Sequence, residues 1–196
     1  MRRAKVDLLQ DADHYEGVTM RAINDAKTSL WIATANVKDV HIEAPIGSRA
    51  RARGTYRSIV EAFAEMATRG VDVRLLHGAV PSGPFRMQLT KLQKRLGPRF
   101  EMRHCPRVHL KLVAVDGAFM YLGSANLTGA GIGARGDRRR NFEMGIVTDD
   151  DVLLDRAQAQ FDRIWRGREC GSCQLRSKCP KPLDMLTKGR PKRGVH

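Results

Sequence analysis

No stretch of the 196-residue chain approaches the roughly 18 consecutive apolar residues that a helical membrane span requires, so no membrane anchor is expected. The opening residues Met1-Arg2-Arg3-Ala4-Lys5-Val6-Asp7 carry positive charge without an apolar stretch behind them, and they read as no export signal; a cytoplasmic location is the expectation. Aromatic residues make up 6% of the chain, too few for a dedicated platform on which bases stack. Acids are also scarce: 21 Asp and Glu stand against 35 Lys and Arg, a net charge of +14. That excess favours polyanionic partners, nucleic acid ahead of an anionic membrane surface, over a protein that is merely basic. There are only four cysteines, and without an export signal they read as thiols or metal ligands rather than disulfides. No internal repeat is visible. What remains is the composition of a soluble globular protein, 42% hydrophobic and 29% charged, long enough for one domain and a small appendage.

The apolar pattern organises most of the chain. Ser29-Leu30-Trp31-Ile32-Ala33-Thr34 is a short run of strand formers closed by a polar turn at 36–39. A loop over 44–54 follows. Ile59, Phe63 and Met66 then recur at helical spacing, and Gly70 closes that helix. Residues 71–76 alternate into a second strand, and strand–helix–strand order implies a right-handed crossover with parallel pairing. Phe85, Leu89, Leu92 and Leu96 mark one apolar stripe of a second helix. Strands are predicted over 110–115, 119–122 and 142–147, the first two joined by Asp116-Gly117, a hairpin signal. A last amphipathic helix over about 152–165 buries Leu154, Ala157, Phe161 and Ile164. From Gly167 the composition changes. The final 30 residues hold three of the four cysteines and eight Lys or Arg against two acids. Residues 1–166 are therefore read as one α/β domain and 167–196 as a cysteine-containing basic tail.

Chemistry concentrates between His109 and Asn126. On a strand, His109 and Lys111 point to the same face because side chains alternate with period two. An imidazole beside an ammonium is a poor structural pair, since each raises the cost of charging the other. Facing a phosphate, both become useful: the lysine neutralises an oxyanion and the histidine attacks phosphorus. After the hairpin, Gly123-Ser124-Ala125-Asn126 brings a hydroxyl, a side-chain amide and backbone N–H groups, all donors for phosphate oxygens.

His109-x-Lys111-x4-Asp116, then six residues and Gly123-Ser124-x-Asn126, resembles the HKD signature of the phospholipase D superfamily. The likeness extends over most of residues 20–166, including Arg69-Gly70-Val71 before the second strand and Asn141-Phe142-Glu143 after the motif. The resemblance implies a fold of helices sandwiching a mixed β-sheet, completed as a two-fold homodimer. It also implies a metal-independent phosphodiesterase in which one histidine forms a phosphohistidine and a second protonates the leaving oxygen. Lys111, Ser124 and Asn126 then hold the phosphate, Glu143 orients the histidine through its other ring nitrogen, and Asp116, at the hairpin, is better read as structural. The chain carries one copy of the motif, so a full site calls for a second chain, His109 facing His109.

Single-motif members of the family are mostly nucleases, which makes an endonuclease acting on DNA or RNA the leading expectation. Phospholipid hydrolysis and non-catalytic nucleic-acid binding are the alternatives. Arg49, Arg51, Arg53 and Arg138, Arg139, Arg140, with Arg135 nearby, flank the motif and are the expected backbone contacts; taken alone they would read as solvated loops.

Cys170-x2-Cys173-x5-Cys179-Pro180 offers three soft ligands, with Cys105 as the expected fourth. The spacing is similar to the iron-staple of certain RecB-type nucleases, which implies a 4Fe–4S cluster. Zinc, with His104 able to replace Cys105, a disulfide and free thiols remain as alternatives. Cys105 lies four residues before His109, roughly 13 Å along an extended strand, too far to join the phosphate chemistry, so its expected role is structural. His14, His41, His77 and His196 form no ligand spacing.

Overall fold

The computed structural model describes residues 3–44 and 49–187, apart from the side chains of residues 50, 51 and 187. Along this part of the chain run strands β1 (Asp7–Gln10), β2 (Ser29–Thr34), β3 (His41–Glu43), β4 (Tyr56–Ser58), β5 (Asp72–His77), β6 (Phe100–His104), β7 (Leu112–Val115), β8 (Phe119–Gly123) and β9 (Met144–Thr148). The α-helices are α1 (Arg21–Asp25), which continues a π-helical turn, α2 (Arg49–Ala52), α3 (Ile59–Thr68), α4 (Gly83–Leu96), α5 (Asp151–Trp165) and α6 (Leu183–Thr187).

Seven strands form one mixed sheet in the order β1-β9-β8-β7-β2-β5-β6, and β3 and β4 make a separate ribbon. The expected crossover is present: β2 pairs with β5 in parallel across α3. A second crossover through α4 adds β6 in parallel to β5. The remaining pairs are antiparallel, so β7, β8 and β9 meander away from β2. Asp116 and Gly117 turn the β7–β8 hairpin with φ of 53° and 67°, the left-handed pair that suits the strand twist.

Helix starts follow local chemistry. Ser58 accepts from Val60 N, Ser82 from Phe85 N with a proline in the first turn of α4, and Asp150 from Leu153 N. Each cap satisfies an N–H that the first turn leaves orphaned. One sheet face is covered by α1, α3 and α4, which bury Ile23, Phe63, Met66, Phe85 and Leu92 against Leu30, Val73 and Leu75. The other face carries α5, whose Leu154, Phe161 and Trp165 pack on Leu76, Leu112 and Met120. Each such side chain contributes roughly 1.5–3 kcal/mol when fully buried. Arg74 and Arg103 stack over Trp31 and Trp165 on this face, so part of the basic excess serves packing rather than a ligand.

Two expected strands begin later than the pattern suggests. The 110–115 run pairs only from Leu112, and the 142–147 run only from Met144, with Phe142 left 97% exposed. The tail docks on the α5 side. Leu183 is 2% exposed and belongs to the same apolar cluster as Phe161 and Trp165.

Candidate active site

After β6 the chain reverses in a turn in which Val108 N donates to Cys105 O at 2.9 Å, with Pro106 in the second position, where its fixed φ suits the bend. Val108 is buried, and its carbonyl passes so close to Gly78 that a Cβ there would lie 2.2 Å from it. Glycine at the end of β5 thus lets the 105–110 segment lie against the sheet. His109 leaves this segment exposed, while Lys111 is 8% exposed and its carbonyl accepts from Gly123 N at 3.1 Å. His109 and Lys111 therefore precede β7 rather than lying on it. They still meet: Lys111 Nζ stands 3.1 Å from both His109 ring nitrogens and donates to His109 O at 3.0 Å. Whichever ring nitrogen lacks a proton accepts from the ammonium. Burial lowers the Lys111 pKa, and the Glu143 charge works against that shift.

The Gly123–Asn126 turn is shaped by Tyr121. Its ring crosses the paired glycines 123 and 145; a Cβ on Gly145 would lie 2.3 Å from Tyr121 Cε2, and one on Gly123 would lie 2.3 Å from the phenol oxygen. Tyr121 Oη accepts from Ala125 N at 3.2 Å, which fixes the turn from inside. Burial pushes the Tyr121 pKa up to about 12, so the phenol stays protonated. Ser124 Oγ donates to Glu143 Oε2 and accepts from Met144 N at 3.0 Å. Asn126 Oδ1 accepts from Asn36 N at 3.1 Å and from Thr34 Oγ1 at 3.3 Å, which leaves the amide nitrogen as its free donor end. Thr34 ends β2, so that strand anchors the phosphate-binding turn.

Glu143 is bound on three sides. Its Oε1 accepts from Asn141 Nδ2 at 3.0 Å, its Oε2 from Ser124, and its backbone N donates to Asp11 Oδ1 at 2.9 Å. The expected contact with His109 is not among these bonds; in the single chain the His109 ring meets Lys111 instead. Asp116 lies at the other end of β7. Its Oδ1 accepts from Thr28 N, Thr28 Oγ1 and Ser29 N at 2.7–2.9 Å, and its Oδ2 from Lys27 N at 2.8 Å. Burial pushes its pKa up, yet these bonds outweigh burial and hold the carboxyl below its ordinary range.

His109, Lys111, Ser124, Asn126 and Glu143 thus gather at one end of the sheet, where β2 and β8 finish and β7 and β9 begin. Sequence reading missed Thr34, Asp11 and Tyr121, which hold this group; the partners of Thr34 and Asp11 lie far away in sequence, and Tyr121 meets Gly145 only across the β8–β9 pairing. Arg138 and Arg139 are exposed and Arg140 pairs with Asp137, on the loop that leads into Asn141 and Glu143. Arg49 and Arg53 are exposed on and beside α2; the Arg51 side chain lies outside the described residues. A cleft of about 380 Å³ runs from His109 past Arg107 and Arg163 to Cys170 and Cys173. These two arginines were not singled out by their spacing.

Beyond that cleft, Cys105, Cys170, Cys173 and Cys179 all line one small cavity, and all four are free thiols. Burial, and then the nearby sulfurs of Cys170, Cys179 and Cys173, push the Cys105 thiol up, with the Arg107 N–H opposing. Among the described residues, no three His, Cys, Asp or Glu side chains are already drawn together as a metal-ligand set. No described helix is long and apolar enough to cross a membrane.

Three solved structures resemble the chain in fold. NucT from Helicobacter pylori is 18% identical with a TM-score of 0.54, covering 82% of this chain and 95% of that one. Nuc from Salmonella typhimurium, titled a phospholipase D family member, is 19% identical with a TM-score of 0.55, covering 84% and 95%. The polyphosphate kinase from Porphyromonas gingivalis is 14% identical with a TM-score of 0.53, covering 83% of this chain and 26% of its own. No curated protein sequence matches the chain. The family model described as "Cardiolipin synthase, PLD-like domain" matches residues 19–165, which takes in every gathered polar residue from Thr34 to Glu143. The chain is a member of the phospholipase D-like domain family.

Proposed function

We propose that the chain is a nuclease that cleaves phosphodiesters without a catalytic metal, through a phosphohistidine on His109, in a site completed by a second copy. The observation that carries this reading is the His109–Lys111 pair at 3.1 Å, set beside the Ser124 and Asn126 donors. The His109 lone pair attacks phosphorus, and the P–O bond to the leaving oxygen breaks. The partner subunit's His109 gives that oxygen a proton. Water then attacks the phosphohistidine, the P–N bond breaks, and the water's proton returns to the partner subunit's His109. Lys111, Ser124 and the Asn126 amide stabilise charge on the non-bridging oxygens. In the free chain Ser124 gives its proton to Glu143, so it joins these donors only when its hydroxyl turns to the phosphate.

Apolar exposure supports a second copy at this end. Leu8, Ile146 and Leu122 lie in one cross-strand row, Met144 shares their face, and Leu8, Leu122, Met144 and Phe142 are exposed. A strip of this kind beside a polar site is what a protein interface requires. The net charge of +14 and the exposed Arg138 and Arg139 support a polyanionic substrate.

The test is cleavage of plasmid and single-stranded DNA and RNA in excess chelator, beside phospholipid vesicles and a His109→Ala control. Chelator-resistant cleavage of nucleic acid, abolished in His109→Ala and confined to the dimer fraction, is expected. Binding without cleavage, or hydrolysis of phospholipid alone, overturns the reading; full activity from a strict monomer overturns the shared site.

A further inference from the structure

The segment from Gly167 to Pro182 poses a physical problem. It is built from successive turns, Cys170 N to Gly167 O, Cys173 N to Cys170 O, Arg176 N to Cys173 O and Cys179 N to Arg176 O, with one short 3-10 turn over Arg176–Lys178. Among the described residues it has no strand partner, and its apolar anchorage is buried Leu183 with half-buried Cys170 and Leu186 on the same cluster. Burying one leucine and parts of two smaller contacts does not offset the entropy of ordering a stretch of this length. Small units of this kind are held by a cross-link or a metal.

We propose that Cys105, Cys170, Cys173 and Cys179 hold one tetrathiolate metal centre that fastens the tail to the segment carrying His109. Four thiols from two distant parts of the chain line the same cavity of about 30 Å³. Tetrahedral thiolate sets select zinc or an iron–sulfur cluster over hard cations. Among the described residues the four sulfurs are not drawn together as a ligand set, so binding a single ion or a cluster would draw the 170–179 turns and Cys105 around it. A four-thiolate centre carries net negative charge in either form, and its surroundings are cationic. Arg107 hydrogen-bonds the Cys173 sulfur, and Arg176 lines the cavity while donating to Cys170 O and pairing with Asp184. His104 also borders the cavity, with its Nε2 donating to Gly78 O at 2.9 Å; Cys105 is taken as the fourth ligand because it lines the same cavity as the other three thiols, and metal retention in Cys105→Ser would point to His104 instead.

The consequence reaches the cleft. Cys105 opens the Pro106 turn, Val108 closes it, and His109 follows, so a metal bound at Cys105 holds the strand-like approach of the nucleophile from behind. Cys170 and Cys173 form the far wall of the same 380 Å³ cleft that His109 lines. The centre therefore sets the width of the cleft without touching the reacting phosphate.

This inference does not rest on the nuclease reading, and its primary readout is metal content. The full chain, purified anaerobically, is assayed for zinc, iron and acid-labile sulfide, with single Cys105→Ser, Cys173→Ser and His109→Ala variants alongside. One zinc per chain, or four iron and four sulfide with a visible charge-transfer band, supports the centre and identifies it. Loss of the metal in both cysteine variants and its retention in His109→Ala are expected. Should a cysteine variant fold poorly, cobalt(II) titration of metal-stripped wild-type chain gives an independent reading: intense thiolate-to-cobalt absorption saturating at one equivalent is expected. Metal-free protein with four freely reacting thiols and no such band overturns the proposal. So does a disulfide found by mass spectrometry, or full metal retention in Cys105→Ser.

Discussion

Asp116 is the third signature residue of the motif, and its surroundings make a sharp prediction about what it does. Asp116→Asn keeps the shape and tolerates the positive φ of 53° at this position, so the backbone turn survives. The amide oxygen can keep the three bonds from Thr28 and Ser29, but the amide NH2 then faces Lys27 N, donor against donor. One charge-assisted bond is lost and three are weakened. Bonds to a charged acceptor are worth about 1.5–3 kcal/mol each when buried, and this group is only partly buried, so a total near 1–3 kcal/mol is expected at pH 7. For a chain of this length that is a fall in Tm on the order of 5 °C. The pH dependence follows from the lowered pKa. A depressed carboxyl stabilises the fold above the pKa of the unfolded chain, and that contribution disappears as pH falls through the folded value, below 3.8. The wild-type and Asp116→Asn melting curves should therefore differ at pH 7 and converge below pH 4. Single-turnover cleavage per folded molecule should stay within a few-fold of wild type. A rate loss of several orders of magnitude with unchanged stability would refute a structural Asp116 and make it a proton carrier.

Three further outcomes can be checked directly. Gly145→Ala should cost about 1–3 kcal/mol by urea denaturation, because the three atoms nearest the added Cβ all belong to Tyr121; combined with Tyr121→Ala the penalty should largely vanish in a double-mutant cycle. Lys111→Met should lower kcat by about 10²–10³-fold, the usual loss for one oxyanion donor, with little change in Tm; an unchanged kcat would remove Lys111 from the charge-stabilising group. The paired change Arg138→Gln with Arg139→Gln should flatten the dependence of binding on salt, by about one to two in log–log slope on duplex DNA. An unchanged slope would place these exposed arginines outside the substrate path.

Much of the chemistry was legible because it is contiguous. His109, Lys111, Ser124 and Asn126 lie close along the chain, and Asp116-Gly117 announces the hairpin that folds them together. Helices α3, α4 and α5 were legible too, since each buries one stripe on a sheet. The edge strands were not. Asp7–Gln10 has three exposed residues of four, and Phe100–His104 is half-buried throughout, so neither shows the alternation that marks a strand. The partners of Glu143 were misjudged for a related reason. The motif shows which residues are polar, but the contacts made by Asp11, Asn141 and Ser124 are decided by tertiary packing. Tyr121 gave no signal either, because its role depends on Gly145, which only the pairing of β8 with β9 brings against its ring. In the tail, a composition without apolar periodicity concealed Leu183, which is buried against α5.

The most direct test is to trap the covalent species. An acid-labile phosphoramidate that joins one cleaved end of the substrate to His109 should appear when the wild-type chain is mixed with substrate in chelator and quenched in base, mapped by mass spectrometry, at single-turnover times. It should be absent from His109→Ala and should decay at the rate of product release. Efficient cleavage with no phosphohistidine at any time, or with activity surviving in His109→Ala, would contradict a histidine nucleophile and the two-copy site built on it.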